Sequence, residues 1–399
     1  MSDSSVLERV RSGDLYLAVF LSAIPIAVLA HFLSSGAVVF KGHAWSVVLP
    51  FIFAFVSFLF WILSRGSRSF PPITYVFLAL LIVSWIVLWI LEKRDGQGLN
   101  FTTFLVPLLV IMLLIKPASF RAVAIASATF AWVIAGVFVV SIIYDFATRN
   151  SFGGLLIRIP GFPRTLGEGA RWEGPFGSPN YVGPFAAYLV LYSVTCRVWS
   201  RRILAAVGIV VLVMSGSRSA ILGMLVGFIV YFIFSRSPRL VGLRRPVRVG
   251  LTIALLVPFL VFAFRADPTL NGRTPIWPEY WELWKRSPME GVGTQLIQDR
   301  INSGEYFAWF VHAHNMALDL LGRYGIIGFV MIAALLVVAV IIVGRAARRS
   351  SPMGLALVSA FLVIGLVEVH GSWLYWSIPT VWLLLAVLDS STFAHEQER

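Results

Sequence analysis

Along almost the whole chain, apolar runs alternate with short polar connections: 15–33, 44–63, 73–91, 101–115, 122–143, 180–196, 203–214, 219–234, 249–264, 324–343, 354–369 and 373–388. A membrane-crossing helix needs roughly 20 predominantly apolar residues, so the pattern predicts an all-α polytopic membrane protein of about 12 spans. Two of the runs, 101–115 and 203–214, are short for that task. Two polar excursions, 147–178 and 265–320, break the rhythm. No internal repeat, low-complexity tract or soluble domain interrupts it, and residues 1–399 read as a single membrane domain.

The distribution of Lys and Arg orients these spans, because short cytoplasmic loops carry an excess of both. With the N-terminus in the cytoplasm, Arg65, Arg68, Lys116, Arg121, Arg197, Arg201, Arg202, the 236–248 arginines, Arg345, Arg348 and Arg349 all fall inside. The short outer loops then keep Lys41, Lys93, Arg94 and Arg218. Both termini are expected to be cytoplasmic and both long loops to face outward. Residues 1–14 are polar and mixed in charge and the 15–33 run is long enough to stay, so no cleaved signal is expected.

Composition agrees. The hydrophobic share of 58% and mean hydropathy of +0.85 exceed the ordinary apolar share of soluble domains, about 45–50%. A net charge of +13 could suggest nucleic acid. That reading needs basic residues gathered on a soluble face; here they lie between apolar runs, so membrane lipids are the expected neighbours. The lone Cys196 excludes an intramolecular disulfide and most thiolate metal sites.

The outer loops hold the polar investment. Long loops translocate largely regardless of charge, so Arg149, Arg158, Arg164, Arg171, Arg265, Arg273, Arg286 and Arg300, with Arg323 where the next span begins, need another explanation. Planar, forked donors that bind anionic groups are one, and pairing with Glu168, Glu173, Glu282 or Asp299 is the other. The glycines and prolines of 161–184 permit backbone approach to a ligand and equally make turns. Arg218, on the Gly/Ser turn MSGSRSAILG at the mouth of the bundle, is costly unless paired or functional. Trp277, Trp281 and Trp284 recur at helical spacing, which suits a helix at the membrane interface and also a stacking surface for sugar rings.

His312 and His314 would point about 200° apart on a helix and could not share a metal there. An extended segment could bring them together, but no third ligand of suitable spacing accompanies them. A histidine general base fits better, since its ordinary pKa lies near the operating pH. No paired-carboxylate motif for a metal-bound sugar diphosphate occurs in the outer loops, the nearest spacing being Glu396 and Glu398 in the tail. There is no phosphate-binding glycine loop and no intramembrane carboxylate relay, Glu368 being the nearest exception. Neither metal nor cofactor is expected.

The run His314-Asn315, nine residues, Gly325, two residues, Gly328 resembles the signature of the O-antigen ligase family. Arg273 through Trp277, Pro288, Gly291 and Gly293 is similar to that family's large-loop pattern, as is the SGSR turn ending in Arg218. The resemblance spans roughly 160–343. It implies a GT-C-like, metal-independent, inverting glycosyltransferase on the outer face of the plasma membrane. His314 would be the base. Arg171, Arg218 and Arg273 would clamp the diphosphate of an undecaprenyl-linked glycan donor, with His312, Asn315 and Trp277 in support. The expected acceptor is lipid A core, which makes the protein a ligase of lipopolysaccharide biosynthesis. A growing glycan would be the acceptor if it were an O-antigen or exopolysaccharide polymerase of the same superfamily. Polymerases often repeat R-x10-G in both outer loops, whereas here the spacing occurs once, from Arg158 to Gly169, which favours ligation. A lipid-linked glycan transporter is the non-enzymatic alternative; it would place polar residues and broken helices along the bundle.

Overall fold

The structure is a computed structural model that describes residues 15–36, 44–63, 70–93, 105–149, 171–172, 174–176, 178–196, 198–235, 275–306, 310, 312–349, 351–366, 368 and 378–397. Among them the architecture is all-α, with no strand. The helices are α1 (Tyr16–Gly36), α2 (Ala44–Leu63), α3 (Pro72–Lys93), α4 (Leu105–Ile115), α5 (Phe120–Arg149), α6 (Pro179–Ser193), α7 (Val198–Ser215), α8 (Arg218–Phe234), α9 (Ile276–Arg286), α10 (Gly293–Asn302), α11 (Met316–Arg349), α12 (Met353–Gly365) and α13 (Ile378–Gln397).

Among the described residues, every apolar run of the sequence except 249–264, which lies outside them, overlaps one of these helices. Without water, each backbone polar group must bond within its own segment, and a helix does this. Three are long and apolar enough to cross a membrane, Pro72–Glu92, Phe120–Ala147 and Met316–Arg348, while Val48–Leu63, Arg218–Phe234, Met353–Gly365 and Thr380–Thr392 are apolar but shorter. The protein is a helical membrane protein. The expected dozen spans exceed the helices of full spanning length among the described residues; α4, for instance, has 11 residues.

Small residues set the closest helix crossings. Gly223 and Gly227 of α8 lie against Ile364, the Ala360 carbonyl and the Ala356 carbonyl of α12, so two backbones meet where larger side chains would separate them. α6 packs on both α7 and α8, and α11 on α3, α12 and α13. Ser178 caps α6, its hydroxyl accepting from Asn180 N at 3.3 Å, with Pro179 in the first turn.

Helices α9 and α10 form a separate layer against the first turns of α11, with their own small core of Ile276, Tyr280, Leu283, Ile297, Phe310 and Ala313. The buried face of α9 is Ile276, Tyr280 and Leu283 rather than the tryptophan series. Trp281 and Trp284 instead pack on each other at 4.5 Å between ring centroids, Trp281 exposed.

α11 is kinked at Gly325, where φ is 62° and ψ −164°, a conformation essentially reserved for glycine. A kink frees backbone groups that need partners, and the turn between α9 and α10 supplies them. Ile326 N donates to Pro288 O (2.8 Å), Ile327 N to Met289 O (3.1 Å), and Val292 N to Gly322 O (2.9 Å). A Cβ on Gly291 would run into the Arg323 carbonyl, and one on Gly325 into the Met289 carbonyl. The two glycine motifs, distant in sequence, are the two halves of one backbone junction.

Candidate active site

The junction delivers the start of α11 to one end of the bundle. Asn315 is its N-cap: Oδ1 accepts from Leu318 N at 3.0 Å, while Nδ2 donates to Leu366 O at 2.9 Å, at the end of α12. Ala313 is held at both polar atoms, its N–H donating to Asp319 Oδ1 (3.1 Å) and its carbonyl accepting from Trp277 Nε1 (3.0 Å). Between these anchors His314 takes a φ of 48°, among the described residues the only positive value outside glycine. Such backbone is uncommon for a side-chain-bearing residue and persists where its surroundings over-determine it.

His314 Nδ1 lies 3.2 Å from Glu368 Oε2, with 22% of the histidine side chain exposed and 4% of the glutamate. A carboxylate on one ring nitrogen fixes the proton there and leaves Nε2 as the proton acceptor. His312 has the opposite environment. Its Nδ1 faces Arg323 Nη2 at 3.2 Å and its Nε2 faces the Tyr181 hydroxyl at 3.4 Å. Burial, helped by the charge of Arg323, pushes its pKa down to about 4, against the pull of Asp319. The two rings stand nearly perpendicular, 6.5 Å between centroids. Among the described residues no three His, Cys, Asp or Glu side chains gather as a metal site would require.

Arginines of the outer loops divide into two groups. Arg323 is buried, with Nε 3.1 Å from Asp319 Oδ2 and Nη1 donating to Thr294 Oγ1 at 2.9 Å, and it ties α10 to α11. Arg300 pairs with Glu305 at 2.7 Å and donates to the Tyr306 hydroxyl at 3.0 Å. Arg171 is half-buried and sits on the turn that leads into Arg218: its Nε donates to Ser215 O (2.7 Å) and its Nη2 to Asn180 Oδ1 (2.9 Å). Next to it Trp172 N donates to Met214 O at 3.1 Å and Trp172 Nε1 to Asp145 Oδ2 at 2.9 Å. Gly183 lets this turn approach α6, since a Cβ there would overlap Ser217. The structure therefore brings Arg171 to the Ser215–Arg218 turn. Asn180 and Tyr181, adjacent in α6, connect that corner to His312. Arg273 lies outside the described residues, as do Arg158, Arg164 and Arg265.

Residues 203–333 match a family model described as O-antigen ligase. Over that stretch the chain is similar to the O-antigen ligase family. No curated protein matches the chain. The match covers Arg218, His312, His314, Asn315 and Arg323, and ends beyond both halves of the Gly291–Gly325 junction. That likeness, on this helical membrane frame, supports a glycosyltransferase-like enzyme of the O-antigen ligase and polymerase superfamily.

Sequence reasoning passed over four residues of this end of the bundle: Asn180, Tyr181, Thr294 and Asp319. Only Asp319 carried a readable signal, its i,i+4 spacing to Arg323 on a helix. Glu368 stood out in the sequence as a carboxylate near the end of an apolar run, without any pointer to His314.

Proposed function

We propose that this protein transfers a glycan from undecaprenyl diphosphate to an acceptor hydroxyl on the outer face of the plasma membrane, and that the acceptor is lipid A core. The observation that carries the reading is the His314–Glu368 pair at 3.2 Å, whose histidine lies within the O-antigen ligase match. Nε2 of His314 takes the proton of the acceptor hydroxyl; that oxygen attacks the anomeric carbon from the face opposite the diphosphate. The bond from the anomeric carbon to the phosphate oxygen breaks, its electron pair leaves with undecaprenyl diphosphate, and the product is inverted. Glu368 steadies the imidazolium formed in this step.

Charge on the departing diphosphate is met by arginine rather than by a metal. Arg171, anchored on the Ser215–Arg218 turn, and Arg218 of that turn supply forked donors, with Arg273 as the third. Because Arg171 already leans on Ser215 and Asn180, its guanidinium is oriented before the donor arrives, and preorganised charge is what lowers a barrier.

Ligation is tested in a deletion strain. If the protein is a ligase, full-length polysaccharide accumulates on undecaprenyl diphosphate and lipid A core is left bare, because polymerisation precedes ligation. A collapse of the ladder to single repeat units would assign polymerisation instead. Turnover of lipid-linked oligosaccharide by the purified protein without a gradient separates either enzyme from a transporter.

A further inference from the structure

The hydrogen bonds around His312 have a direction. A guanidinium offers only donors, so the contact from Arg323 Nη2 at 3.2 Å makes His312 Nδ1 the acceptor and leaves the ring proton on Nε2. Arg323 cannot swing away, being held by Asp319 and Thr294. His312 Nε2–H then donates to the Tyr181 oxygen at 3.4 Å. That leaves the hydroxyl hydrogen of Tyr181 to be given elsewhere. Among the described residues the Tyr181 hydroxyl has no other hydrogen-bond partner, its backbone N–H being used by Ser178 O at 3.0 Å, and a polar hydrogen without a partner is costly where water is excluded.

Tyr181 stands between the two parts of the site. Its chain neighbour Asn180 holds Arg171, and its hydroxyl is within electrostatic reach of Glu368 and Asp319. We propose that Tyr181 is a substrate-contacting residue whose hydroxyl donates to an anionic phosphate oxygen of the lipid-linked donor, with His312 and Arg323 as positioning residues that point its proton outward. The arginine corner beside it selects an anionic oxygen over a sugar hydroxyl. This rests on the reading of the diphosphate site above, and it gives His312 a part different from that of His314.

Steady-state transfer from an undecaprenyl diphosphate-linked oligosaccharide tests it, with His314→Ala as the control for the base. Tyr181→Phe is expected to lower kcat/KM for the donor by about 10- to 100-fold, the size of one hydrogen bond to a charged group, with KM for the acceptor unchanged. His312→Gln, whose amide offers an acceptor and a donor in the same order, should keep most activity. His312→Leu should fall to the level of Tyr181→Phe, and the double variant Tyr181→Phe/His312→Leu no further, since coupled residues are non-additive. Tyr181→Phe within about twofold of the parent, beside an inactive His314→Ala, overturns the Tyr181 role and leaves the transfer reading standing; the marker here is a loss of order tenfold or more. Equal activity of His312→Gln and His312→Leu overturns the relay even if Tyr181→Phe does not fold. Full activity in His314→Ala removes the transfer reading itself, and the Tyr181 proposal with it.

Discussion

His314 and Glu368 meet at 3.2 Å across 54 positions of sequence, imidazole Nδ1 against carboxylate Oε2. Two residues earlier, His312 presents the same ring atom to a guanidinium. One histidine is thereby a donor at Nδ1 and the other an acceptor. A carboxylate at Nδ1 holds the ring proton there and leaves Nε2 open as an acceptor, whereas a guanidinium at Nδ1 puts the proton on Nε2. In the proposed reaction it is therefore His314 that would offer a free Nε2 to the acceptor hydroxyl.

His314→Ala is expected to reduce transfer by about 10² to 10⁴, the usual contribution of a general base, while the protein still binds its lipid-linked donor. Glu368→Gln should lose less than that and retain a histidine-dependent rate. Initial rates on purified protein check both. Near-parental transfer by His314→Ala would remove the central assignment.

Arg171→Lys should behave much like Arg171→Ala, because one ammonium cannot hold both Ser215 O and Asn180 Oδ1 and still present a fork to phosphate. Arg218 and Arg273 variants should likewise raise KM for the donor more than for the acceptor. Transfer should persist in excess chelator. Activity lost to EDTA and restored by magnesium or manganese would show that a metal does the work assigned to the arginines.

Gly325→Ala should destabilise the protein without touching the histidines. At φ 62° and ψ −164° a side chain costs about 1–3 kcal/mol, and its Cβ also meets the Met289 carbonyl. The midpoint of heat-induced loss of the monodisperse peak in detergent should fall, and Gly291→Ala should do the same. An unchanged midpoint for both would mean that the junction contributes little.

Stability should decline on acidification through the window set by His312. Its pKa in the folded protein is pushed down to about 4 from 6.5, so between those values the unfolded chain binds a proton that the folded chain refuses. Stability therefore falls as pH drops from 6.5 towards 4. His312→Gln should flatten that part of the profile, measured as heat-denaturation midpoint against pH. Arg323, Asp319, His314 and Tyr181 are the charged or titratable groups that act on the ring, and all remain in that variant.

The order of the apolar runs, the membrane class and the helical fold were legible in the sequence because hydrocarbon imposes a local rule: each segment must satisfy its own backbone and show an apolar surface. The family signature was legible for a related reason. Gly291, Gly325 and Gly328 occupy backbone positions that reject a side chain, and that demand is written at fixed spacing. What the spacing could not show is that Gly291 and Gly325 answer each other. Nor could it show which arginines serve the fold: Arg323 is consumed by Asp319 and Thr294, whereas Arg171 is carried to the turn before Arg218 by Ser215 and Asn180. The pairing of His314 with Glu368 and the separate chain from Arg323 to Tyr181 were decided only by tertiary structure. Hydrogen bonds act over about 3 Å, and the residues that come that close lie on helices whose meeting is set by the packing of the whole bundle.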